Sequence, residues 1–157
     1  MTIGNGKHPG QLGENIIVTA EGGFGRYYIN ATGAASVKGT LVNTESAIDN
    51  GVNLVDGLTD EPDIIGAVYE SGVADGDRVL VILFGVADLL LEDTTSATRG
   101  YWVRTSKVQI GRANMTNATP PGGTIAAIGE HFRECGHCME SKSAGTDVLA
   151  RATIHFN

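Results

Sequence analysis

Glycine punctuates this chain so often that its apolar residues are cut into short runs, which limits the elements it can build. There are 22 glycines against four prolines in 157 residues. That is roughly twice the usual share of glycine, and without a G-X-Y period it signals many tight turns instead of a collagen helix. The runs between the glycines are rich in Val, Ile, Thr and Tyr, the residues that suit pleated, half-buried strands. The fold class expected is all-β: a small barrel or sandwich, tulip-like, with an extended N-terminal arm.

The runs can be placed one by one. Ile16-Ile17-Val18-Thr19, a turn at Gly22-Gly23 and Arg26-Tyr27-Tyr28-Ile29 read as strand, turn, strand. Asn50-Gly51, Asp56-Gly57 and Asp75-Gly76 tolerate the positive φ of tight hairpin turns. Arg78 to Glu92 is long enough for a helix, yet Val79, Val81 and Ile82 are β-branched, no capping pattern precedes them, and Gly85 weakens a helix. Two strands with a break at Gly85 are expected. Tyr101 to Thr105 reads as another strand and Asn114 to Thr124 as a long loop. The cleanest alternation comes last, with Val148, Ala150, Ala152, Ile154 and Phe156 on one side and Leu149, Arg151, Thr153 and His155 on the other.

The length suits one domain. Residues 1–14 hold four glycines, a proline and almost no apolar side chain, so they are expected to form a flexible arm, with residues 15–157 as a single β-rich domain. The net charge is −7 and Lys and Arg are scattered, which speaks against nucleic acid as a partner. The longest apolar run, Val79 to Leu91, is broken by Gly85 and Asp88 and falls short of a membrane helix. The first residues lack the apolar stretch of a signal peptide. A soluble protein without a membrane or secretory role is the expectation.

Few residues suggest chemistry. Cys135-Gly136-His137-Cys138 is a C-x-x-C pair that could chelate zinc or cycle as a disulfide, with His131 and His155 as further ligands. On a strand, residues three apart point to opposite faces, so the two thiols are expected to face apart and to be ordinary buried cysteines. Carboxylates at Asp56, Asp60, Glu61 and Asp63, and at Asp75 and Asp77, match no calcium-loop pattern. Neither Gly4-Asn5-Gly6-Lys7 nor Gly22-Gly23-Phe24-Gly25 has the spacing of a phosphate-binding loop. Tyr27, Tyr28, Tyr101 and Trp102 could form a stacking platform for sugars, or could be cross-strand core pairs. No catalytic residue, cofactor or metal site is assigned.

Three strings carry a resemblance. They are Ala74-Asp75-Gly76-Asp77-Arg78-Val79 leading into Gly85-Val86; Gly100-Tyr101-Trp102-Val103-Arg104 leading to Gly111-Arg112-Ala113; and Ile128-Gly129-Glu130-His131-Phe132 to Gly136-His137-Cys138-Met139-Glu140, ahead of Ala144 to Arg151 and Ile154-His155-Phe156-Asn157. Over about its last 90 residues the chain resembles the capsid decoration, or cement, proteins of tailed bacteriophages. The resemblance implies a non-enzymatic virion structural protein on the outer face of the capsid, usually a homotrimer, which clamps neighbouring major capsid protein subunits. It also implies an N-terminal arm that takes part in the contact. A carbohydrate-binding or host-attachment module is the alternative, and a small Cys/His metal-binding protein a second.

Overall fold

The structure, a computed structural model, describes residues 16–57, 63–117 and 133–155. The arm assigned to residues 1–14 lies outside these, as does Phe156. Ten strands and no helix occur among the described residues. The expected all-β, barrel-like class is what the chain adopts.

β1 (Ile16–Val18) and β2 (Gly23–Asn30) form the expected strand, turn, strand unit, with the turn at Thr19 to Gly22 and Gly23 already in β2. β3 (Leu41–Thr44), β4 (Gly51–Leu54) and β5 (Gly66–Val68) follow, then the long β6 (Arg78–Leu90). β2 pairs with both β4 and β6, β4 with β3, β3 with β5, and β5 with β6. These pairings close a hydrogen-bonded ring of five strands. Tyr28, Val42, Val52, Val68, Val79 and Val81 pack together in one cluster, contributed by alternate positions of its members. Asn30, 1% exposed, satisfies its amide at this cluster's edge by donating to the carbonyls of Ala34 (2.8 Å) and Val73 (3.0 Å) and accepting from Thr32. A buried amide so placed costs little, because each of its polar atoms has a partner.

The second half of the chain builds outward from β6. β10 (Leu149–Ile154) pairs with β6, β9 (Glu134–Cys138) with β10, β7 (Trp102–Thr105) with β9, and β8 (Ala113–Thr116) with β7. A parallel bridge between Leu91 and Ala113 brings β8 back to the end of β6. Leu89, Leu91, Val103, Ala150, Ala152 and Ile154 lie in the larger core cluster, which also contains Leu80 and Ile82 from the first half of β6. The alternation expected for the last strand holds, with Ala150, Ala152 and Ile154 buried against exposed Arg151 and half-buried Leu149 and Thr153.

β6 corrects the expectation of two strands. It is one strand of 13 residues, and the interruption near Gly85 is a bulge: Phe24 faces Phe84 but Gly25 faces Ile82, leaving Leu83 as the extra residue. The bulge shifts the alternation by one. The larger cluster therefore takes Leu80 and Ile82 before it and Ala87, Leu89 and Leu91 after it. Gly85 makes this possible, because its φ is +89° and a Cβ there would lie 2.5 Å from the Gly22 carbonyl oxygen.

A further expectation is revised. Asn114 to Thr116 belong to β8, where Met115 packs on the core and the Asn114 side chain donates to Glu92, so the loop begins later than Asn114. The turn expected at Asp56-Gly57 runs into residues 58–62, outside the described residues. Gly57 is required there by close approach, since a Cβ would fall 1.9 Å from the Ser106 carbonyl oxygen. Asn50 (φ 56°) and Gly76 (φ 84°) do adopt the left-handed backbone expected of their turns.

Chemical denaturation tests the bulge. Gly85→Ala should lower the unfolding free energy by about 3 kcal/mol, whereas Gly72→Ala, at the same φ of +89° but facing open space, should cost only about 1 kcal/mol. Equal losses would show that backbone conformation alone, and not the contact with Gly22, fixes the glycine.

Candidate functional site

The β6–β10 ladder sets Leu90 beside Leu149, Asp88 beside Arg151 and Val86 beside Thr153, all on the side away from the larger core. Phe84 continues this outward row and is 46% exposed. Its ring stacks on Phe24, with centroids 4.7 Å apart and planes 11° from parallel. Val18, opposite Phe24 on β1, is also exposed. On the other flank His137 of β9 lies opposite Thr153, and Trp102 of β7 lies opposite His137. The Trp102 and His137 ring centroids are 4.0 Å apart, and those of His137 and His155 5.4 Å. One outer face thus carries Phe24 of β2, Phe84 of β6, His137 of β9, Trp102 of β7 and His155 just past β10.

Charge sits in the middle of this strip. Asp88 receives Lys38 at 2.9 Å and the Arg151 Nε–H at 3.2 Å. Burial alone would raise its pKa, but these two cations win and hold the carboxyl below its ordinary range. At the far end, Leu90, Leu149, Val37 and Ile110 line an open groove of about 470 Å³, with Lys38 and Arg112 on its rim. Val37 and Ile110 are both exposed, and Val108 beside them is 69% exposed.

The loop that presents Val108 and Ile110 is held firmly. Ser106 Oγ donates to Glu92 Oε2 at 2.6 Å and accepts the N–H groups of Val108 (3.0 Å) and Gln109 (2.8 Å). Gln109 and Asp93 exchange two hydrogen bonds, of 2.7 and 2.9 Å. Arg112 then ties Asp93 (3.0 Å) to Asp147 (2.5 Å). The Gln109 hydrogen bond, the Asp147 backbone N–H and Arg112 together lower the Asp93 pKa, although burial opposes them. An apolar tip on a loop so braced loses little further freedom on docking.

The structure separates the residues that sequence reading grouped. Tyr27 and Tyr28 are on β2, whereas Tyr101 and Trp102 are at the start of β7, and β2 and β7 do not pair. Tyr28 packs in the five-strand ring with Arg26 over its face, Tyr27 lies under Arg78, and Trp102 is faced by His137. These rings do not form one platform. Asp75 accepts the Gly33 N–H at 2.8 Å, a turn contact, while Asp60 and Glu61 lie outside the described residues.

The cysteines behave differently from their expected geometry. Val103 faces Gly136 but Arg104 faces Glu134, so Cys135 is the extra residue of a second bulge. Both Cys135 and Cys138 therefore turn into the larger core cluster, not to opposite faces. His137 and His155 belong to the outer row, and His131 lies outside the described residues, so the Cys/His set is not brought together. Among the described residues no three His, Cys, Asp or Glu side chains are grouped to hold a metal ion. Burial, helped by Glu134, pushes the Cys135 thiol up to about 12. Burial also raises Cys138, which donates its S–H to the Glu140 carbonyl at 2.9 Å.

Phe24, Phe84, Val108 and Ile110 carry the outer face, and none was singled out by the sequence. The local signal was present in Phe84, a large apolar residue directly before the glycine that breaks the strand pattern. No protein-family model matches the chain, and comparison with curated proteins finds no match. The class that stands is an all-β, barrel-like protein whose outer face carries exposed Phe84 beside half-buried Phe24, Trp102, His137 and His155.

Thiol reactivity tests the assignment of the cysteines to the core. At pH 8 the native protein should react with a small disulfide reagent about a hundredfold or more slowly than the unfolded chain, which should release both thiols rapidly. Fast native labelling of Cys135 would contradict its burial.

Proposed function

We propose that this is a non-enzymatic structural protein of a virion, which binds the outer surface of a tailed-phage capsid and stabilises it by bridging major capsid protein subunits. The observation that carries the reading is the outer strip, where Phe84 and the braced Val108–Ile110 tip are exposed on a rigid scaffold. Exposed apolar groups of this kind gain most by being covered, and protein surfaces cover them best. The strings shared in character with cement proteins supply the identity of the shell.

Affinity in this reading comes from multiplicity. A homotrimer presents three copies of each modest patch, and the copies engage together only where the lattice spacing matches. The acidic balance is compatible with a position outside the shell, where the protein meets protein and solvent instead of packaged DNA. The carbohydrate-binding alternative is less favoured because Tyr27, Tyr28 and Trp102 each already face a cation or an imidazole.

Co-sedimentation with expanded empty phage capsids is the test, paired with light scattering for molar mass. The protein should pellet with the capsids at micromolar concentration, and the Phe84→Glu, Val108→Asp double variant should weaken binding by about tenfold or more while remaining folded. Protein that stays wholly in the supernatant, or a double variant that binds as well as the parent, would count against the proposal.

A further inference from the structure

The five-strand ring holds more space than its side chains fill. Asn30 of β2, Val52 and Leu54 of β4, Val68 of β5 and Val79 of β6 line a cavity of about 110 Å³, which the segment from Thr32 to Thr40 completes. Val52, Val68 and Val79 form its buried end, none of them more than 3% exposed. Valine is short and restricted about χ1, so these side chains do not swing in to close the gap.

The segment over the cavity is pinned and resists sinking into it. Ser36 donates its hydroxyl to the Glu70 carbonyl at 2.8 Å, accepts the Val73 N–H at 3.0 Å and sends its own N–H to the Val73 carbonyl at 2.8 Å. Asn30 holds the Ala34 carbonyl, and the Thr40 hydroxyl donates to that of Val37 at 2.8 Å. A void whose wall is held in this way persists, because the structure around it relaxes only in part. The same bonds use up the polar side chains of the wall, since Thr32 also donates to Asn30. Among the described residues no unpaired buried side-chain nitrogen or oxygen lines the cavity. Water inside would need two to four polar partners, so carbon is the better occupant.

We propose that this cavity is a binding site for a short, uncharged hydrocarbon group of about four to six carbons. Apolar cavities of roughly 150 Å³ stay dry and take benzene or xenon, and this one is somewhat smaller. It is well below the roughly 300–1,000 Å³ of sites that enclose whole metabolites, so a larger ligand could insert only an apolar end. Ala34, Ala35 and Val37 line it and are exposed, which marks the entrance. A hydrocarbon seated there supplies the contacts that the three valines lack. A free small alcohol and the leucine side chain of a partner offer the same chemistry. The site goes beyond the capsid reading and stands without it.

The full chain is titrated with isobutanol, isobutylammonium and N-acetyl-leucinamide, while NMR follows the valine methyl signals. Isobutanol should shift Val52, Val68 and Val79 saturably in the millimolar range, and the cation should bind about tenfold or more weakly. An equal response to N-acetyl-leucinamide assigns the group to a partner's side chain, and its absence assigns it to a free molecule. Val68→Ile and Val79→Ile each add a methyl group at the cavity and should weaken isobutanol about fivefold. They should leave the denaturation midpoint unchanged or higher, whereas Val81→Ile, in the same cluster but off the cavity wall, should lower it. The proposal is overturned if isobutanol gives no saturable shift up to about 100 mM. A lower midpoint in both wall variants, the mark of overpacking, would overturn it as well.

Discussion

The register slip at Leu83 in β6 is the constraint on which the rest of the molecule depends. A strand without it would keep one alternation throughout, and the side that buries Leu80 and Ile82 would go on to bury Phe84, Val86 and Asp88 instead of Ala87 and Leu89. The extra residue lets one strand serve two groups of neighbours. Its first half closes the five-strand ring with β2 and β5, and its second half supports β10 and, at Leu91, the end of β8. Gly85 accommodates the slip because only a residue without a side chain both reaches that φ and clears Gly22.

The same slip decides what is displayed. Asp88 comes to the outer surface with Arg151 and Lys38, and Phe84 is left half uncovered on Phe24. The second bulge, at Cys135, does the reverse for β9 by turning a thiol inward while His137 stays out. Reactive sulfur is thus hidden and protonated, and the outer surface is left with rings, aliphatic tips and paired charges.

Strand identity was legible in the sequence wherever alternation ran undisturbed. Leu149 to Ile154, Ile16 to Val18 and Trp102 to Thr105 fall where their patterns place them. What could not be read were the two bulges, because a bulge is a relation between strands and its partner is far away in the chain. Cys135 and Cys138 look opposed when β9 is considered alone, and only the pairing with β7 reveals that they share a side. Asn114 reads as loop in the company of Pro120-Pro121-Gly122-Gly123, yet Glu92 accepts its amide and Met115 anchors the segment. The outer face was least legible, since Phe84 and Ile110 have the residue types of a core and only the fold shows them uncovered.

Because β6 pairs into both halves, one continuous strand joins them among the described residues. Tension applied to one half travels through covalent backbone and a ladder of sheared hydrogen bonds into the other. Two ladders on one strand couple the halves, so separating them requires breaking the β2–β6 or the β6–β10 hydrogen bonds.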